Sequence, residues 1–172
     1  VLHALTSCGV EHVTYVGSYH IQKVIERYPN LDYRFQANWQ HEGETRGLVL
    51  ARPPLNRDCL IVRATTILVP QALRLLNDVA EGPSVGYYDG GQEMSFVGLV
   101  SLGAQQVEQA FDIADSLSQQ DLGSNLETWI SAMVAGGLSL QSVDLDTLAA
   151  PVQDTMAVAR TVFGGKGRTL EH

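Results

Sequence analysis

Apolar and polar positions along the chain change period repeatedly, from about 3.6 residues to 2 and back, and each change marks a new element. Residues 1–9 (VLHALTSCG) place apolar side chains at helical spacing and stop at a glycine suited to a helix C-cap. Residues 10–18 (VEHVTYVGS) are rich in β-branched residues and predict a strand ending near Gly17. A helix over 20–30 follows, ended by Pro29-Asn30, and then alternating residues 31–36 (LDYRFQ) predict a half-buried strand. Residues 38–47 (NWQHEGETRG) predict a polar loop, running into a short helix because Glu44, Thr45, Leu48 and Ala51 share a helical pitch.

The continuous apolar run in 58–64 (DCLIVRA) predicts a strand buried on both faces. Pro70 suits a helix first turn, which 71–80 continues. Residues 83–89 and 94–102 predict two strands around the turn 90–93 (GGQE). An amphipathic helix over 104–118 has Val107, Ala110, Phe111 and Ala114 on one face. A helix over 125–137 closed by Gly136-Gly137, a strand over 138–145 and a helix over 152–165 complete the pattern.

Strands alternating with helices predict an α/β fold, a Rossmann-like three-layer sandwich with a mostly parallel sheet covered by helices on both faces. Right-handed crossovers then gather the strand carboxyl ends on one edge, where ligands of such sheets bind. At 172 residues the chain suffices for one domain, expected over 1–169; Leu170-Glu171-His172 resemble the start of a tag. With a net charge of −8 and 11 scattered basic residues, a nucleic-acid surface is not expected. No apolar run approaches the ~20 residues of a membrane span, and no signal peptide is visible. Cys8 and Cys59 read as two buried free thiols, and the expected compartment is the cytoplasm.

The carboxyl-edge loops are Gly17–His20 (GSYH), Arg63–Thr66 (RATT) and the segment before Asp154. The histidines are too dispersed for a zinc site. GGKG at 164–167 lacks the spacing of a phosphate loop and reads as a helix exit. Asp144 and Asp146 read as a solvated turn. Asp154 suits either a helix N-cap or a metal ligand.

In order and spacing, ALTSCGVEHVTYVGSY, YRFQANWQHEGETRGLVLA, CLIVRATTILVPQAL, SFVGLVSL and NLETWISAMVAGGLSLQSVDL followed by VQDT resemble the nucleotidyltransferases that activate sugar phosphates and phospho-alcohols. The resemblance implies the nucleotide-diphospho-sugar transferase (GT-A) type of fold. It also implies transfer of a nucleoside monophosphate from a nucleoside triphosphate to a small phosphorylated acceptor, with release of pyrophosphate and with Mg2+ as cofactor. By that resemblance the base lies near Gly17 and the loop from Asn38 to Thr45. Thr65 and Asp154 flank the metal and phosphates, Asp154 as metal ligand, and Gly98 lies on the acceptor side. Thr65 stands where the family has its first metal-binding aspartate, and Met156 replaces a proline often found after the second. The family's glycine-rich triphosphate loop would precede Val1. A catalytically degenerate nucleotide-binding or regulatory domain, with a fused partner beyond Lys166, is the alternative.

Overall fold

The computed structural model describes residues 1–79, 82–89, 94–145 and 149–151. The predicted last helix, Asp146, Asp154, the GGKG segment and the terminal Leu-Glu-His lie outside the described residues.

Several elements arise from local causes that the sequence carries. Helix α1 (Leu2–Ser7) ends in a Schellman closure: Gly9 has φ +78°, Val10 N–H donates to Leu5 O at 3.1 Å, and Gly9 N–H to Thr6 O at 3.1 Å. Strand β1 (Thr14–Gly17), helix α2 (Ile21–Arg27) and strand β2 (Asp32–Phe35) form a parallel βαβ unit, with Gly17 opposite Phe35. Helix α3 (Glu44–Leu50) leads to strand β3 (Cys59–Val62). Strand β4 (Thr66–Leu68) is followed by helix α4 (Pro70–Val79), with Pro70 at its first position as its fixed φ and missing N–H favour. Strands β5 (Ser84–Asp89) and β6 (Met94–Leu102) form an antiparallel hairpin.

Helix α5 (Ala104–Gln120) precedes α6 (Leu126–Ala135), whose start is capped by Asn125 Oδ1 accepting from Thr128 N–H at 2.9 Å. A second Schellman closure ends α6, with Gly137 at φ +90° and Leu138 N–H donating to Met133 O at 3.0 Å. Strands β7 (Gln141–Asp144) and β8 (Ala149–Pro151) follow.

The four-stranded sheet has the order β3-β6-β5-β7. Strand β6 runs antiparallel to both β3 and β5, and β7 is parallel to β5. Three strands therefore share one direction and β6 alone is reversed, as the hairpin connection demands. Two-stranded ladders β1-β2 (parallel) and β4-β8 (antiparallel) stand beside it. The β4-β8 pair was not legible in the sequence. Each partner is only three residues long, and the pairing bridges residues 66 and 151, a non-local contact that periodicity cannot report.

Both faces of the four-stranded sheet are buried. On one face, Val85, Val100 and Leu102 pack with Leu48 of α3, Val107, Ala110 and Phe111 of α5, and Trp129 and Met133 of α6. On the other, Val97, Leu99 and Val143 pack with Ala4 and Leu5 of α1 and Ala72, Leu73 and Leu76 of α4. β3 divides likewise: Cys59 and Ile61 lie against the first core, Leu60 and Val62 against the second. That is why CLIV carries no polar position, and it gives the predicted three layers. Cys8 and Cys59 are free and half-buried, and burial pushes the Cys59 thiol up to about 11.

Trp129 anchors the first core. It is fully buried, stacks edge-on with Phe111 at 6.2 Å and donates its indole N–H to Ala110 O at 2.8 Å. Trp129→Ala should lower unfolding free energy by about 3–5 kcal/mol, whereas Trp129→Phe should cost less by keeping most of the volume. Urea denaturation of both variants provides the check, and equal losses would show that volume is not what matters there.

Candidate functional site

The carboxyl ends of β1 and β3 are tied together by a continuous run of hydrogen bonds. It begins at Gly17, whose carbonyl accepts from Gln36 N–H at 2.9 Å. The Gln36 side chain is buried and turns toward the loop after β2, donating to Gly43 O at 3.2 Å and Glu42 O at 3.4 Å. Asn38 opens that loop and is exposed, its carbonyl accepting from His41 N–H at 2.8 Å and Glu42 N–H at 3.1 Å. The loop is also fixed from below. Gly43 N–H donates to Leu122 O at 2.5 Å, and Thr45 is buried with its hydroxyl donating to Ser124 O at 3.1 Å and bonded to the Ser124 hydroxyl.

Glu44, in the first turn of α3, points at the end of β3. Its carboxylate accepts from Arg63 Nε and Nη2, both at 2.7 Å, and from Leu126 N–H at 3.1 Å. Glu127, in the first turn of α6, binds the same Nη2 at 2.9 and 3.0 Å. The Phe96 ring lies 5.3 Å below the guanidinium carbon. The fork of Arg63 thus joins β3, α3 and α6 in a planar, charge-assisted array. The hydrogen bonds to Glu44 lead the causes that raise the Arg63 pKa above its ordinary value, against a partial burial that lowers it. With two carboxylates around one guanidinium, the cluster carries a net charge of about −1.

The backbone of Arg63 is held by a bulge in β6. Gly86 pairs with Leu99 and Tyr87 with Phe96, so Val97 and Gly98 are extra on the β6 side. Gly98 has φ +83°, and its carbonyl accepts from Arg63 N–H at 2.7 Å. Thr66, also buried, donates its hydroxyl to Val97 O at 2.5 Å. A Cβ on Gly98 would stand 2.5 Å from Arg63 Cβ and 2.8 Å from Thr66 Oγ1, so glycine is required by both conformation and space. Thr65 itself is exposed at the turn between these anchors.

The structure therefore brings Gly17, the Asn38–Thr45 loop, the Thr65 turn and Gly98 to one connected edge. Asp154 lies outside the described residues; the described chain stops at Pro151, opposite Thr66 in the β4-β8 ladder and three positions before Asp154. Gln36 and Glu127 were not singled out from sequence, and Arg63 and Glu44 were named only as members of a loop and of a helix start. Arg63 stood directly after the buried run and Glu44 directly at a helix start, but only tertiary packing shows that they meet.

A divalent cation does not fit the described residues alone. The carboxylates at the end of β3, Glu44 and Glu127, both embrace Arg63, and no group of three or more His, Cys, Asp or Glu among the described residues is placed to hold a metal. No described helix is long and apolar enough to cross a membrane.

No family model and no curated protein matches this chain in sequence. Solved structures do match in fold. The CTP:phosphocholine cytidylyltransferase of Streptococcus pneumoniae superposes with a TM-score of 0.70 at 13% identity, covering 93% of this chain and 82% of that one. The inositol-1-phosphate CTP transferase of T. maritima gives 0.68 at 12% identity, covering 96% and 83%. The 4-diphosphocytidyl-2C-methyl-D-erythritol synthase of Anaerococcus prevotii gives 0.63 at 7% identity, covering 93% and 84%. The chain has the Rossmann-like fold of these nucleotidyltransferases.

Gly98→Ala tests the bulge. It should destabilise the fold by about 1–3 kcal/mol through the left-handed φ and the contact with Arg63 Cβ. A chemical-denaturation midpoint equal to that of the parent would mean that the Arg63 turn does not depend on the bulge.

Proposed function

We propose that this chain is a nucleotidyltransferase-like domain that transfers a nucleoside monophosphate from a nucleoside triphosphate to a phospho-alcohol or sugar phosphate, with release of pyrophosphate. One observation carries the reading. In a chain with the fold of phosphocholine and inositol-1-phosphate cytidylyltransferases, the carboxyl ends of β1 and β3, the loop after β2 and the β6 bulge are hydrogen-bonded into a single edge. Ligands of open α/β sheets bind outside such an edge.

In this reading the base sits by Gly17 and the loop from Asn38 to Thr45. Thr45, being buried on Ser124, is a positioning residue that sets the loop. The phosphates lie by the Thr65 turn and the acceptor by Gly98. Asp154 would be the residue to hold magnesium, which would offset charge on the triphosphate, since Thr65 carries no carboxylate and the neighbouring glutamates are bound to Arg63. Little covalent chemistry is asked of the protein in such a transfer; positioning and charge stabilisation carry most of it.

A second reading is favoured by the same Arg63 cluster. Residues 63–66 contain no carboxylate, and a domain lacking that charge binds a nucleotide without turning it over, as a sensing or regulatory module does.

Pyrophosphate release, measured with a panel of nucleoside triphosphates and phosphate esters in magnesium, separates the two. Turnover with any pair is expected on the first reading, and none with any pair leaves only the second. Thr65→Asp, which adds a carboxylate at the end of β3, should tighten magnesium binding in calorimetric titration. An unchanged magnesium affinity in a folded variant would remove Thr65 from the proposed metal edge.

A further inference from the structure

Aromatic side chains gather in the open beside Gly17. Tyr19, two residues beyond the end of β1, is 72% exposed. Its ring lies 3.8 Å from that of His20 at a tilt of 45°, and 6.3 Å from that of Trp39 at 35°. Trp39, in the loop after β2, is itself 44% exposed, and Phe35, the strand partner of Gly17, is 60% exposed. Rings of this size are normally buried, since each covers roughly 150–250 Å² of apolar surface. Solitary exposed apolar residues need no explanation, but a contiguous aromatic group on a ligand-binding edge does.

The backbone at the same turn is left-handed. His20 has φ 58°, the only left-handed non-glycine residue among the described residues. A left-handed conformation at a non-glycine residue is found most often where the surrounding structure enforces it. Here it sets His20 against Tyr19 at the turn into α2. The floor of the patch is hydrogen-bonded: the Gln36 N–H donates to Gly17 O, and its side chain donates to Glu42 O and Gly43 O of the loop that carries Trp39.

From this geometry we infer that Tyr19 and Trp39, with His20 beside them, are the platform on which the planar base of a nucleotide stacks. The inference rests on the nucleotide-binding reading above and assigns the side chains that grip the base. Three features point to a base rather than to an aliphatic or peptide occupant. The surface is made of exposed aromatic rings, and aromatic rings stack on planar heterocycles. The rings are tilted and polar at their rims, with hydroxyl, indole and imidazole groups that can meet heteroatoms on the edge of a base. The patch also lies at the carboxyl edge next to Gly17, within the connected array that ends at Arg63 and the Thr65 turn. A stacked base there leaves its phosphates free to run toward that turn.

The two tryptophans give a direct readout. Trp129 is fully buried in the core and Trp39 is at the surface, so quenching by an added ligand reports on Trp39. Titration of the full chain with the common nucleoside monophosphates should quench this fluorescence with at least one base, whereas ribose 5-phosphate, which lacks a base, should not. Tyr19→Ala should raise the dissociation constant about tenfold or more, as loss of one base–aromatic stack does. Both Tyr19 and Trp39 are exposed enough that Tyr19→Ala and Trp39→Leu should keep the parent circular dichroism. Trp39→Leu should abolish the quench.

Equal quenching by ribose 5-phosphate would overturn the platform, as would choline binding in place of any base. So would an unchanged affinity in folded Tyr19→Ala. The outcome is separable from that of the transfer assay. Pyrophosphate release without base-dependent quenching refutes the platform and leaves the transferase standing. Base-dependent quenching without pyrophosphate release supports the platform and favours the non-catalytic reading.

Discussion

Strand β6 is bonded on both edges and buried on both faces, and the geometry of the candidate site follows from that constraint. Its neighbours β3 and β5 take its backbone groups, and Val97, Leu99, Val100 and Leu102 divide between two cores. A strand so enclosed cannot shift register without moving its whole apolar set to the wrong side. The irregularity it does carry, the bulge at Val97-Gly98, is therefore fixed in place. The bulge presents two carbonyls to the turn after β3, one to Arg63 N–H and one to the Thr66 hydroxyl.

From that turn the charge array spreads outward. Arg63 extends across the edge to Glu44 and Glu127, which begin two helices packed on the same face of the sheet. The side chains are partly exposed, 25% for Arg63 and 39% and 46% for the glutamates, so solvent screens them and the array contributes modestly to stability. Its larger effect is geometric, since a guanidinium bound through both Nε and Nη2 links three elements. The cluster it organises, one guanidinium between two carboxylates, is acidic on balance.

At the other end of the edge the constraint is weaker and the chemistry more open. The β1-β2 unit forms its own parallel ladder, and Gln36 connects it to the loop before α3. Exposed rings collect there and paired charges collect at the β3 end, so the two ends of one edge differ in chemical character.

Much of the architecture was legible in the residues themselves. CLIV announced a strand covered on both sides, Val107, Ala110, Phe111 and Ala114 announced the buried stripe of α5, and Gly9 and Gly136-Gly137 announced helix ends, because period and local backbone chemistry act over a few residues. Gly17, Asn38, Thr45, Thr65 and Gly98 were expected together only through the family resemblance; the hydrogen bonds that run from Gly17 to the loop before α3, and from Arg63 to Gly98, are features of the tertiary structure. The sequence could not tell that Thr45 would be buried against Ser124 while its neighbour Glu44 reached the site, nor that Arg63 would find Glu127, 64 positions away. It was equally silent on β4 and β8, and on Gln36 as the link between loops. Those facts depend on contacts between residues far apart in the chain, whose partners are chosen by packing of whole elements and leave no periodic trace. Local propensity determined which pieces exist; only the tertiary structure decided which side chains those pieces would set face to face.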